Sequence, residues 1–142
     1  DATKDLLLHT LPFHPFLVKP NRQELEELFQ VSLENRRAVI PYGQKLLAQG
    51  ARNVLISMAG EGAVLVAADG RVYEAAAPAG NLVNSVGAGD AMLAGFMAGY
   101  LEREEYGHAV RMGVATGSAS AFSEGFATRQ EVEALYPQVS CL

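Results

Sequence analysis

Asn84-Ser85-Val86-Gly87-Ala88-Gly89-Asp90 runs straight into Ala91-Met92-Leu93-Ala94-Gly95-Phe96-Met97-Ala98-Gly99-Tyr100-Leu101, and this junction decides how the chain reads. A polar, glycine-bearing segment gives way to a stretch that is apolar on nearly every side, as a helix packed among other elements would be. Gly87 and Gly89 let the main chain turn tightly and leave its N–H groups uncovered by side chains. A helix beginning near Ala88 aims its free first-turn N–H groups and the positive end of its dipole at one point, where an anionic oxygen can sit. Asp90 falls in that first turn. Donors for a transferring phosphoryl group then stand beside a carboxylate able to take a proton from an attacking hydroxyl. Taken alone, Gly87 to Asp90 also suit a plain tight turn in which Asp90 only complements the helix dipole.

The longer pattern is more specific. Asn84, Ser85, any residue, Gly87 and Ala88, then Gly89-Asp90, three apolar positions and Ala94-Gly95-Phe96 resemble the C-terminal signature of the PfkB (ribokinase-like) carbohydrate kinases at every position. The resemblance implies that Asp90 is the catalytic base, in contact with the substrate hydroxyl. It also implies that the backbone of Gly87, Ala88 and Gly89 forms the anion hole, with Gly89 additionally close to the nucleotide.

Composition is that of a globular domain. The 142 residues are 49% apolar and 19% charged, enough for a sizeable core in one domain. The net charge of −5, without a basic block, gives nucleic acid no electrostatic footprint. No apolar run reaches membrane-spanning length. The single cysteine, Cys141, excludes a disulfide framework within one chain and is compatible with the cytosol. Asp1-Ala2-Thr3-Lys4 is neither an initiator methionine nor a signal peptide. Together with the resemblance, this start suggests the C-terminal portion of a longer kinase, with the N-terminal half and lid strands absent.

In chain order, residues 4–11 read as a short helix closed by Pro12 and Pro15, and Phe16 to Lys19 as a buried strand. Lys19-Pro20-Asn21-Arg22-Gln23-Glu24-Leu25 enters a helix whose Leu25, Leu28 and Phe29 share a face. Asn21 and Glu24 have capping-box spacing. The segment also resembles the family's Lys-Pro-Asn-x-x-Glu element, which implies that Asn21 and Glu24 act on Mg2+ indirectly and that Lys19 and Asn21 reach the nucleotide. Ser32 is expected to cap a second helix reaching Gln49, with Gly50 as its C-cap and a kink or break near Ile40 before Pro41. His9, His14 and His108 are scattered and read as surface or core residues.

Asn53 to Met58 reads as a strand buried on both faces. Ala59-Gly60-Glu61-Gly62 then leads to a strand from Ala63 to Ala67. It suits a hairpin loop and also resembles the family's Ser-Leu-Gly-x-x-Gly-Ala segment, which implies ATP contacts from Ser57, Met58, Ala59, Gly60, Glu61 and Gly62. Ala59 replaces the first glycine, a substitution that costs energy if the position needs a positive φ. Asp69-Gly70 is a turn before the strand 71–75. The stretch 104–122 reads as helix, and Gly113, Gly117 and Ala121 leave one face almost bare, suited to close helix packing or to adenine lying near the backbone. Thr128 with Glu131 opens a last helix that ends before Pro137.

No Walker A sequence occurs, Met92 stands where a dinucleotide fingerprint requires its third glycine, and no Cys or His cluster has zinc spacing. The expected fold is α/β: a ribokinase-like α/β/α layering with a mostly parallel central sheet and an antiparallel edge from residues 63–76. The resemblance implies ATP-dependent transfer to a sugar phosphate in a cytoplasmic, homodimeric enzyme, with ATP and Mg2+ as cofactors. Lys19-Pro20-Asn21, Val83 to Asp90 and Gly117 to Gly125 look most like the branch acting on fructose 1-phosphate. Tagatose 6-phosphate and fructose 6-phosphate are the alternative substrates, and a nucleotide-binding fragment without turnover is the alternative for the isolated chain.

Overall fold

The computed structural model describes residues 2–80, 82–83, 87–123 and 127–141. Asn84, Ser85, Val86, Glu124 and Gly125, quoted above as motif residues, lie outside the described residues. The chain divides into two units, Asp1–Tyr73 and Glu74–Leu142.

In the first unit, α1 (Ala2–Thr10) ends in a 3-10 turn, Leu11–Phe13, that takes up Pro12. Residues 15–21 then run parallel to β1 (Val54–Ser57). Val18 N donates to Asn53 O at 3.1 Å, Leu55 N to Val18 O at 2.9 Å and Ser57 N to Pro20 O at 3.1 Å. The strand expected at Phe16–Lys19 is therefore reduced to the bridges Val18–Val54 and Asn21–Ser57. Pro15 and Pro20 flank it, and neither has the N–H that a longer ladder would use. β1 also pairs antiparallel with β2 (Ala63–Val66), from Val54 opposite Val66 to Ser57 opposite Ala63. Parallel on one side and antiparallel on the other, β1 has the mixed pairing expected of this stretch.

α2 (Arg22–Phe29) and α3 (Ile40–Ala48) pack against these strands. The helix expected from Ser32 to Gln49 begins only at Ile40. Glu26 Oε2 accepts the Leu33 N–H at 2.8 Å and Asn35 Oδ1 accepts the Ala38 N–H at 2.9 Å, so side chains take donors that a helix would need. The break expected near Ile40 is present as the start of α3, with Pro41 in its first turn, where a missing N–H costs little. Leu11, Val18, Leu25, Leu46, Val54, Ile56, Val64 and Val66 form one buried cluster. Beside it, the fully buried Asn53 donates to Phe16 O at 2.9 Å and accepts from Ala68 N at 2.8 Å, stitching together three segments of the unit.

In the second unit, the end of β3 (Val72–Ala76) pairs antiparallel with β4 (Ser140–Cys141). α4 (Ala88–Arg103) lies against α5 (Tyr106–Ala121), and α6 (Arg129–Leu135) starts at the expected capping box. Phe96, Val110, Val114 and Ala119 are buried between them. A Cβ on Gly113 would stand 3.0 Å from Met92 O, and one on Gly117 would stand 3.1 Å from Ala88 O. The bare face of α5 is thus filled by the backbone of α4. Of the two uses open to that face, the described contacts are those of close helix packing.

Candidate active site

In α4 the first turn is built as the motif requires. Gly87 is the N-cap, with φ 83°, a left-handed conformation that favours glycine. Ala91 N donates to Gly87 O at 2.9 Å and closes the turn. Among the described residues no side chain caps this helix, and the N–H groups of Ala88, Gly89 and Asp90 are the first-turn donors of a helix start. Among the described residues nothing lies within 4 Å of where a Cβ on Gly87 would stand. Asp90, in the first turn, is exposed. First-turn donors and an exposed carboxylate can together receive an anion and a hydroxyl.

The first unit gathers the other motif residues. The bridge between Asn21 and Ser57 sets Lys19-Pro20-Asn21 beside the end of β1, with Met58 next in chain. Beyond Met58 the chain makes a 3-10 turn, Ala59–Glu61, closed by Glu61 N to Met58 O and Gly62 N to Ala59 O, both 3.0 Å. Ala59 has φ 49°. The position does need a positive φ, so the alanine that replaces glycine holds strain of about 1 kcal/mol. Gly60 has nothing within 4 Å of its Cβ direction and leaves the outer side of the turn bare. Glu61 is held by Arg36, whose Nη1 donates to its carbonyl at 2.7 Å, and lies 3.6 Å from the Arg22 guanidinium. Sequence reading missed both arginines, because neither belongs to a recognisable motif.

Asn21 and Glu24 bond to each other. Asn21 N donates to Glu24 Oε1 at 2.9 Å and Glu24 N donates to Asn21 Oδ1 at 2.8 Å, a complete capping box. Glu24 Oε2 takes part in neither bond. One such oxygen suits a water-mediated hold on Mg2+, which keeps much of its hydration, better than a direct ligand set. Among the described residues no group of three or more His, Cys, Asp or Glu is placed to hold a metal.

Of the histidines, His9 and His14 are exposed, and His14 Nδ1 stands 3.0 Å from Gly50 O. His108 is buried, with Nδ1 2.7 Å from the Tyr136 hydroxyl and Nε2 3.2 Å from Glu102 Oε1. His9 and His14 are thus surface residues and His108 a core one, as expected.

With this geometry in view, comparison with known proteins defines the class. Residues 1–132 match the model of the pfkB family carbohydrate kinases, and the chain belongs to that family. Its members transfer a phosphoryl group to a sugar. The chain is 46% identical over 139 residues to 1-phosphofructokinase of Bacillus subtilis strain 168, covering 98% of this chain and 46% of that enzyme. It is 36% identical over 144 residues to D-tagatose-1-phosphate kinase of Bacillus licheniformis, again covering 98% of this chain and 46% of the relative. A crystal structure from Staphylococcus aureus, provisionally described as a phosphofructokinase, superposes with a TM-score of 0.92 at 37% identity. It matches 97% of this chain and 45% of its own. The chain thus spans about half the length of the relatives it matches, and its fold is ribokinase-like, as expected. Among the described residues no helix is long and apolar enough to cross a membrane.

Proposed function

We propose that this chain is the C-terminal portion of a sugar-phosphate kinase that transfers the γ-phosphoryl group of ATP to fructose 1-phosphate, giving fructose 1,6-bisphosphate. The observation that carries this reading is the first turn of α4: N–H donors that no described side chain caps, a left-handed Gly87 with no described atom within 4 Å of its Cβ direction, and the exposed Asp90. In it, Asp90 takes the proton of the sugar hydroxyl as that oxygen attacks phosphorus. The N–H groups of Gly87, Ala88 and Gly89 stabilise charge on the transferring group. Lys19, Asn21 and the turn from Ser57 to Gly62 serve the nucleotide. Glu24 and Asn21 would hold Mg2+ indirectly, and the ion would neutralise phosphate charge. Such chemistry is mostly positioning and charge stabilisation, for which backbone donors and one carboxylate suffice.

The identity of 46% to a 1-phosphofructokinase supports fructose 1-phosphate as the substrate. The 36% identity to a D-tagatose-1-phosphate kinase supports its epimer as the second reading. The family resemblance, which implies a cytoplasmic homodimer, is what supports that state for the full-length protein. The test is a kinetic assay of the full-length protein with ATP and fructose 1-phosphate, tagatose 1-phosphate, fructose 6-phosphate and tagatose 6-phosphate. The highest kcat/KM for fructose 1-phosphate is expected; a preference for either 6-phosphate contradicts the reading.

A further inference from the structure

We infer that Arg36 is a positioning residue for the nucleotide, acting by holding the turn from Met58 to Gly62 through the main-chain carbonyl of Glu61. The inference rests on the nucleotide role of that turn proposed above. The turn carries strain at Ala59, with φ 49°, and its own closure is three main-chain bonds: the two at 3.0 Å and Met58 N to Gly62 O at 2.8 Å. Gly60 adds no side chain to brace it.

Two arginines reach the turn. Arg22 meets the Glu61 carboxylate at 3.6 Å, with both side chains 45% exposed, a geometry that solvent screens strongly. Arg36 instead donates to the Glu61 carbonyl at 2.7 Å, a charge-assisted bond shorter than an ordinary amide bond. A carbonyl held in place fixes the Glu61–Gly62 peptide plane, and with it the Gly62 N–H that bonds back to Ala59.

Arg36 itself stands on a pinned segment. Leu33 and Val39 are buried on either side of it, at 4% and 0% exposure. Glu26 holds the Leu33 N–H and Asn35 holds the Ala38 N–H. The contacts that break the expected helix at residues 32–39 thus set the guanidinium against the turn. A solvated arginine on a regular helix would not be so constrained.

The test uses the full-length enzyme with Arg36→Ala, Arg36→Lys and Gly60→Phe. For Arg36→Ala, KM for ATP is expected to rise about fivefold, with kcat and KM for the sugar phosphate within about twofold. ADP titration should show the same loss of affinity without turnover. Lysine, a point donor in place of a fork, should recover part of it. The loss should shrink in an Ala59→Gly background, where the turn needs less holding. An unchanged KM for ATP, or a rise in both KM values together with a fall in thermal stability, overturns the inference. Gly60→Phe separates the two readings, because a Cβ there has no described atom within 4 Å. If Gly60→Phe weakens ATP binding and Arg36→Ala does not, only the positioning role fails. If Gly60→Phe has no effect, the nucleotide role of the turn fails and takes the inference with it.

Discussion

The backbones of Asn21 and Ser57 pair as a parallel bridge, so α2 begins where β1 ends. In open α/β sheets ligands bind beyond the carboxyl ends of the strands, and this bridge brings a helix N-terminus and a glycine-bearing turn to such an end. Asn21 therefore has two duties that mutation can separate. Asn21→Ala loses the acceptor for the Glu24 N–H and should cost about 1 kcal/mol in urea denaturation. Asn21→Asp keeps the cap and the stability but adds a negative charge, and should raise KM for ATP.

Gly117 and Gly113 make equally tight approaches to α4 but at different turns. Gly117 faces Ala88 O at 3.1 Å, in the proposed catalytic turn; Gly113 faces Met92 O at 3.0 Å, farther along the helix. Alanine at either position should cost about 1–3 kcal/mol by overpacking. Only Gly117→Ala bears on the proposed anion-binding turn, so its kcat should fall about tenfold more than that of Gly113→Ala, a difference that steady-state kinetics will measure.

Asn53 is fully buried, and its two bonds serve backbone groups of Phe16 and Ala68. Asn53→Ala leaves a carbonyl and an N–H without those partners and should destabilise the protein by about 2–4 kcal/mol, read from the shift in denaturant midpoint.

The Ser123 hydroxyl, 2.6 Å away, is the main cause that holds the Glu131 carboxyl below the usual glutamate range, with the Thr128 backbone and hydroxyl adding to it. A folded-state pKa below the unfolded one gives stability that is present above the unfolded value and lost as pH falls through the folded value. Glu131→Gln should therefore be less stable than wild type at neutral pH. The two stability curves should converge in acid below the ordinary glutamate range, as acid-titration melting curves will test.

The parts legible in the sequence were those whose cause is local. The capping boxes at Asn21 and Thr128 and the start of α4 at Ala88 follow from neighbours within a few residues, whereas the sequence offers the positive φ at Ala59 only as a condition, through the glycine that the resembling segment has there. What was not legible depends on distant partners. The segment after Ser32 has helical spacing, yet Glu26 and Asn35 divert its N–H groups and Arg36 reaches across to Glu61. Gly113 and Gly117 left two uses open, and only the nearness of the α4 backbone decides for packing. Asn53 sits in an otherwise apolar strand pattern, and nothing in sequence announces that Phe16 and Ala68 need it.

The most direct measurement is single-turnover phosphoryl transfer by the full-length protein carrying Asp90→Asn, with ATP affinity measured alongside. Asparagine keeps the shape of the side chain but cannot take the hydroxyl proton. A loss of about 10²–10⁴ in the chemical step, with ATP affinity within a few-fold of wild type, is the result expected of a general base. Near-normal transfer by the variant would contradict the assignment of Asp90 and of the first turn of α4 as the catalytic centre.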